Sequence, residues 1–186
     1  MPSGYPHYRN SHASMEKWEP VYLNLYEVTI KPPEAVDGWD WIMDNVTRVG
    51  GLDTEKIPGT VEQIYKGARR RYAAAFPDST TADISIGFEV NLNNDNSMYV
   101  YKGLRKWCDL IFDPLTGAMT LKNTYSGGPM TVSMYNKKGD TFRQWIFPVI
   151  WPITPIPMMD LDYSTGSNIW SIDITFAADY WDDISV

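Results

Sequence analysis

The stretch Ile169–Asp183, IWSIDITFAADYWDD, decides how the rest of the chain is read. Its even positions Trp170, Ile172, Ile174, Phe176, Ala178 and Tyr180 are apolar or aromatic, and Ser171, Asp173, Thr175 and Asp179 alternate with them. Successive side chains of a strand point to opposite faces, so this is the pattern of a strand packed on a core through one face. Only Ala177 interrupts the polar row. A slip of one residue would put the aromatic row in water and bury Asp173, which specifies the register strongly. Trp170, Ile172, Ile174, Phe176 and Tyr180 are therefore the expected core residues of this strand.

The same alternation recurs at Ala82–Leu92, where Ala82, Ile84, Ile86, Phe88, Val90 and Leu92 form the inward row. An earlier run, Val21–Ile30, alternates with both faces largely apolar, which points to an interior position or a contact with another subunit, and Pro32-Pro33 ends it. Residues 38–49 read either as a helical turn around Trp41 or as a strand from Ile42. After the cap-forming cluster Asn93–Ser97, the residues Val100, Tyr101, Leu104, Trp107, Cys108 and Ile111 recur at spacings of three and four. This predicts one helix over about 97–112, stopped by Asp113-Pro114. Met119–Thr124 and Thr131–Tyr135 are short strand candidates, and the turn Asn136–Asp140 leads into a further strand, Thr141–Val149. Trp151-Pro152 to Pro157 has few ladder donors and belongs at a sheet edge or a crossing between sheets.

Between Gly51 and Pro77 the segment Val61–Phe76 carries Lys66, Arg69, Arg70 and Arg71, the one concentrated basic patch. Helix propensity alone reads it as a helix. A charge run is often a solvated face, but in an acidic chain a compact basic cluster suits docking on an acidic patch of an identical copy.

A chain of 186 residues, 44% of them hydrophobic, with strand-like runs separated by Gly, Pro and Asn clusters, fits one mainly β domain. Residues 1–20 are polar and aperiodic and read as an N-terminal arm, leaving 21–186 as the folded β domain. The net charge of −7 argues against a surface that grips nucleic acid through its phosphates. The start MPSGYPHYRN lacks the basic and apolar regions of a signal peptide, so synthesis in a cytoplasm is expected. Prolines 148, 152, 155 and 157 break the longest apolar run, and no membrane segment is expected.

Catalysis needs convergent acids, bases, nucleophiles or metal ligands, and the sequence offers no such set. The two histidines, His7 and His12, both lie in the arm, and Cys108, the sole cysteine, falls on the apolar stripe of the helix as a buried thiol. Asp160–Ser164 resembles the opening of a calcium loop, but Thr165 and Ser171 stand where glycine and glutamate are needed. No enzyme, metal or cofactor is therefore expected. Eight tryptophans and twelve tyrosines leave a carbohydrate-binding β-sandwich as the alternative from a different class.

The ending Ala178-Asp179-Tyr180-Trp181-Asp182 resembles the C-terminus of tail-tube proteins from contractile-tailed bacteriophages. Asn24–Ile30 looks like the first strand of that family, Glu55–Pro58 like the stretch that opens its long hairpin, and Trp151-Pro152 like its aromatic-Pro pair. The resemblance implies a β-sandwich or partial barrel with one flanking helix, and it reads 61–76 as a long hairpin or loop reaching toward the next ring. In that family six copies close into a ring whose sheets form a continuous inner barrel. The rings stack into a tube inside a contractile sheath, between a baseplate and a tail terminator, and DNA passes through without specific binding. On this reading Lys66, Arg69, Arg70 and Arg71 are candidate contacts between rings and Trp181 a candidate subunit contact. The product would be a virion tail assembled in the bacterial host cytoplasm. Within the class, the tube of a type VI or extracellular contractile injection system and a baseplate tube initiator are the alternatives.

The arm has no periodic apolar face with which to join a core. Deleting residues 1–20 is expected to leave the melting temperature of the monomer almost unchanged, and a large fall in a thermal denaturation scan would make the arm a core element.

Overall fold

In the computed structural model the described residues are 20–37, 42–52, 58–77, 82–92, 98–157, 161 and 169–185. The strands are β1 (Tyr26–Ile30), β2 (Val46–Gly50), β3 (Pro58–Tyr65), β4 (Ala68–Pro77) and β5 (Ala82–Glu89), then, after the helices α1 (Tyr99–Ile111) and α2 (Lys122–Tyr125), β6 (Met130–Tyr135), β7 (Thr141–Phe147), β8 (Ile150–Pro152), β9 (Ser171–Ala178) and β10 (Asp182–Ser185). They form two antiparallel four-stranded sheets, β1-β6-β7-β10 and β2-β5-β9-β8, and a separate β3-β4 hairpin.

The two strongest alternating stretches are hydrogen-bonded neighbours. Ala82, Ile84, Ile86 and Phe88 of β5 stand directly opposite Ala178, Phe176, Ile174 and Ile172 of β9. Both rows are buried, and they meet Val28, Ile30, Met130, Val132, Trp145 and Phe147 from the other sheet in one core. The result is a sandwich in which each strand keeps its polar residues on the outer face. On the outside of β9, Asp173 pairs with Arg48 of β2 at 3.2 Å.

Helix α1 closes one flank through Val100, Leu104 and Trp107, and the Trp107 ring lies 5.3 Å from Phe176. Gly103 permits the approach, because a Cβ there would fall 2.4 Å from Cδ1 of Ile42. The helix opens on Met98, which has a positive φ and makes no side-chain cap bond. The cluster Asn93–Ser97 lies outside the described residues, as do Trp41, residues 1–19 of the arm, and Asp160 with Asp162–Ser164 of the calcium-like stretch.

Four expectations need correction. The C-terminal stretch is not one strand: β9 ends at Ala178, and Asp182–Ser185 pair with β7 in the opposite sheet. Tyr180 consequently stands 48% exposed, outside the core, whereas Trp181 is 5% exposed and packed within it. The first strand begins only at Tyr26, because Val21–Leu25 includes a turn in which the Leu25 N–H donates to the Tyr22 carbonyl, and it buries one face rather than two. Leu92, outside β5, is 78% exposed. In place of a strand at Met119–Thr124 there is a single bridge from Met119 to Phe112, followed by α2. Asp113 causes this: its carboxylate accepts hydrogen bonds from the Leu115 N–H and the Thr116 hydroxyl and folds the chain back on the end of α1.

Of residues 38–49 only 42–49 are described: Ile42-Met43 are helical, a turn follows in which the Asn45 N–H donates to the Ile42 carbonyl, and the strand, β2, begins at Val46 rather than at Ile42. Trp151-Pro152 lie in β8, at the end of their sheet and directly after the crossing from β7.

Phe176→Asp is expected to abolish folding, since it buries a carboxylate with no partner at a cost of several kcal/mol. Asp173→Ala removes only an exposed ion pair, worth about 0.2–1 kcal/mol. Circular dichroism and solubility of the two variants provide the check, and similar behaviour would overturn the face assignment.

Candidate functional site

The segment that carries the basic cluster is a β hairpin, as its resemblance implied and its propensity did not. The turn is Lys66-Gly67, with φ of 48° and 80°, so both central residues are left-handed, as a two-residue hairpin turn compatible with strand twist requires. Gly67 adopts this conformation freely, while Lys66 accepts its strain and rests its ammonium 5.5 Å from the Tyr65 ring.

Cross-strand register divides the arginines. Glu62 faces Arg71 and Ile64 faces Arg69 on one side, whereas Val61 faces Tyr72, Gln63 faces Arg70 and Tyr65 faces Ala68 on the other. On the first side Glu62 holds Arg71 at 2.6 Å and Arg69 at 3.8 Å. Arg70 has no ion-pair partner among the described residues and lies opposite Gln63, flanked on its side of the hairpin by the Val61–Tyr72 and Tyr65–Ala68 pairs. The three consecutive arginines thus form two sites of different character. Every residue from 60 to 73 is exposed, including Val61, Ile64 at 71%, Tyr65 and Tyr72. An isolated two-stranded hairpin is marginal in water, and this one exposes apolar and charged side chains on both faces.

Of the remaining sequence candidates, Ile172, Ile174 and Phe176 are fully buried, and Trp170 is half-buried against Tyr101, with ring centroids 5.4 Å apart. The burial of Trp181 within its own subunit leaves it little surface to offer a neighbour. Sequence reasoning missed Val61, Glu62, Tyr65 and Tyr72. The signal that could have found them is the period-two order of VEQIY against RRRYA once a Lys-Gly turn is placed between them.

The described residues contain no group of three or more potential metal-ligating side chains. None of the described tryptophans is exposed, so they offer no flat aromatic platform for a sugar. The outer face of β5 and β9 carries Asp83, Ser85, Glu89, Ser171, Asp173 and Thr175, a short-chained and acidic surface. Among the described residues no helix is long and apolar enough to cross a membrane.

No protein-family model and no curated protein matches the chain. Its fold, however, is that of solved components of contractile injection systems. A chain in the sheath–tube complex of the extracellular contractile injection system PVC, in its extended state, superposes with a TM-score of 0.61 at 17% identity, covering 94% of this chain and 97% of that one. A chain in the anti-feeding prophage cap, which terminates the tube of that prophage, gives 0.59 at 17% identity over 91% and 93%. One from the six-fold symmetrised anti-feeding prophage baseplate gives 0.54 at 9% identity over 91% and 98%.

Cys108 is half-buried rather than fully buried as its place on the apolar stripe predicts, and provides a check on that flank of α1. Burial pushes its thiol up to about 11, and the adjacent Asp109 charge adds to the shift. Alkylation by iodoacetamide at pH 8 should therefore be on the order of a hundredfold slower than for an ordinary thiol and should accelerate as pH approaches 11. Rapid labelling at pH 8 would place the thiol in solvent.

Proposed function

We propose that this chain is a structural subunit of a contractile injection device: the tail-tube protein of a contractile-tailed phage, six copies of which close into a ring, with rings stacking into a tube. The observation that carries the reading is the β3-β4 hairpin, exposed on both faces with apolar and basic side chains, on a fold shared with tube, cap and baseplate components. Such a hairpin has no role in the subunit that bears it and a clear one in an assembly of identical copies. Head-to-tail contacts between identical rings have no built-in stop, which suits a tube. Joining the sheets of neighbours into an inner barrel would also remove free edges that otherwise invite aggregation.

The net charge of −7 and the acidic outer face of β5 and β9 suit a bore that repels DNA rather than retaining it, over a range of about 10 Å at ordinary ionic strength. A sheath outside, a baseplate and a terminator at the ends, and assembly in the host cytoplasm complete the proposal. No enzymatic step is part of it. The cap and baseplate neighbours favour, as a second reading, a protein that starts or ends the tube. Copy number separates the two: one ring per layer of the tail means tube, a single ring per particle means an end piece.

Electron microscopy and sedimentation of the concentrated protein are expected to show rings and tubes that weaken as salt rises. Replacing Arg69, Arg70 and Arg71 together with glutamate is expected to leave soluble monomers or single rings with unchanged circular dichroism. Tubes of normal length from that variant would remove the hairpin's charge from the account of stacking.

A further inference from the structure

The sandwich is closed on one side and open on the other. At the open side β1 ends one sheet and β2 the other, and between them lies a groove of about 490 Å³. Tyr26, Val28, Met43 and Val46 supply its apolar lining, Asn24 and Thr29 polar groups, and Glu27 and Asp44 its charge, with no cation among the described lining residues. Neither carboxylate forms an ion pair among the described residues, although Glu27 accepts a hydrogen bond from the Tyr135 hydroxyl. The backbone of β1 is open there as well. The Lys31 N–H and the Leu25 carbonyl bond toward β6, so the alternating groups of Tyr26, Val28 and Ile30 point to the free edge.

The hairpin has the complementary character. Its Val61–Tyr65–Tyr72 side is apolar and holds Arg70, which is free of carboxylate partners among the described residues. Its two strands also have free outer edges. We infer that the groove between β1 and β2 is the receptor for the β3-β4 hairpin of a second copy. The apolar hairpin side lies on Tyr26, Met43 and Val46, Arg70 meets Asp44, and one hairpin strand extends the sheet at β1. This rests on the tube reading and names the two surfaces that join. It also separates the arginines by role: Arg70 binds across the interface, and Arg69 and Arg71 stabilise the hairpin through Glu62.

Charge reversal and its repair test the pairing. Arg70→Glu alone and Asp44→Arg alone should each raise the protein concentration needed for assembly about tenfold or more, while circular dichroism stays unchanged. Arg70→Glu combined with Asp44→Arg in one chain should restore assembly to within about threefold of the parent. In a Cys108→Ser background, chains with Gln63→Cys mixed with chains with Asp44→Cys should form disulfide-linked dimers on mild oxidation, and neither should do so alone. Normal assembly of Arg70→Glu, or no repair and no cross-link while the parent still forms tubes, overturns the inference and leaves the tube reading standing. Occupation of the groove by the chain's own residues 1–19 would appear as new assembly when they are deleted, and would likewise overturn it. A parent chain that stays monomeric at all concentrations sinks both.

Discussion

Eight consecutive residue pairs between β5 and β9, from Ala82 against Ala178 to Glu89 against Ser171, hold the remaining structure in place. Four of these pairs put two apolar side chains face to face on the core, and a shift of one residue would reverse every one of them. Helix α1 finds its seat on this pair of strands, through Trp107 against Phe176, and the second sheet packs over the same apolar rows. Register here is consequently a global property, although it is read from two short segments.

From that pair the chain makes the same bend twice. Thr141–Pro152 leaves one sheet as β7 and enters the other as β8, and Ser171–Ser185 makes the reverse passage as β9 and β10, in hydrogen-bonded contact on both sides of the bend. Lys122 fastens the corner: its ammonium pairs with Asp179, just past the end of β9, and lies 3.9 Å from the Trp151 ring centroid in β8. A bridge between Gly127 and Ile150 then ties β8 back toward β6. This closure gives the sandwich its partial-barrel character and leaves β1 and β2 as an opening on the other side. A sheet edge of that kind invites pairing, which makes its carboxylates and its half-covered backbone selective features rather than defects.

The sequence disclosed most of the core and little of the corner. Ile172, Ile174, Phe176 and their partners in β5 were legible because alternation is a local property that burial on one face enforces. Tyr180 continues the pattern in letters but not in space, and Trp181 takes the core place instead, since the bend after Ala178 depends on pairing with β7, some forty residues away in sequence. Asp113 similarly redirected Met119–Thr124 through hydrogen bonds that no periodicity reports. In the hairpin, Arg and Ala residues favour helix individually, and only the Lys66-Gly67 turn with its cross-strand partners overrides them. The basic cluster was visible as composition, whereas its division into a paired and an unpaired side needed the register.

Among the described residues the hairpin is hydrogen-bonded into neither sheet, and residues 60–73 are exposed and outside the core. Substitutions there escape the packing constraint that holds Ile174 or Phe176 in place and answer only to whatever the hairpin contacts. Lineages descended from such a chain can drift in what they recognise while inheriting the same scaffold, and compatibility between copies becomes a trait that evolves almost independently of foldability. On the proposed reading, closely related chains made in one cell would sort into pure rather than mixed polymers, with recognition carried by residues 60–73.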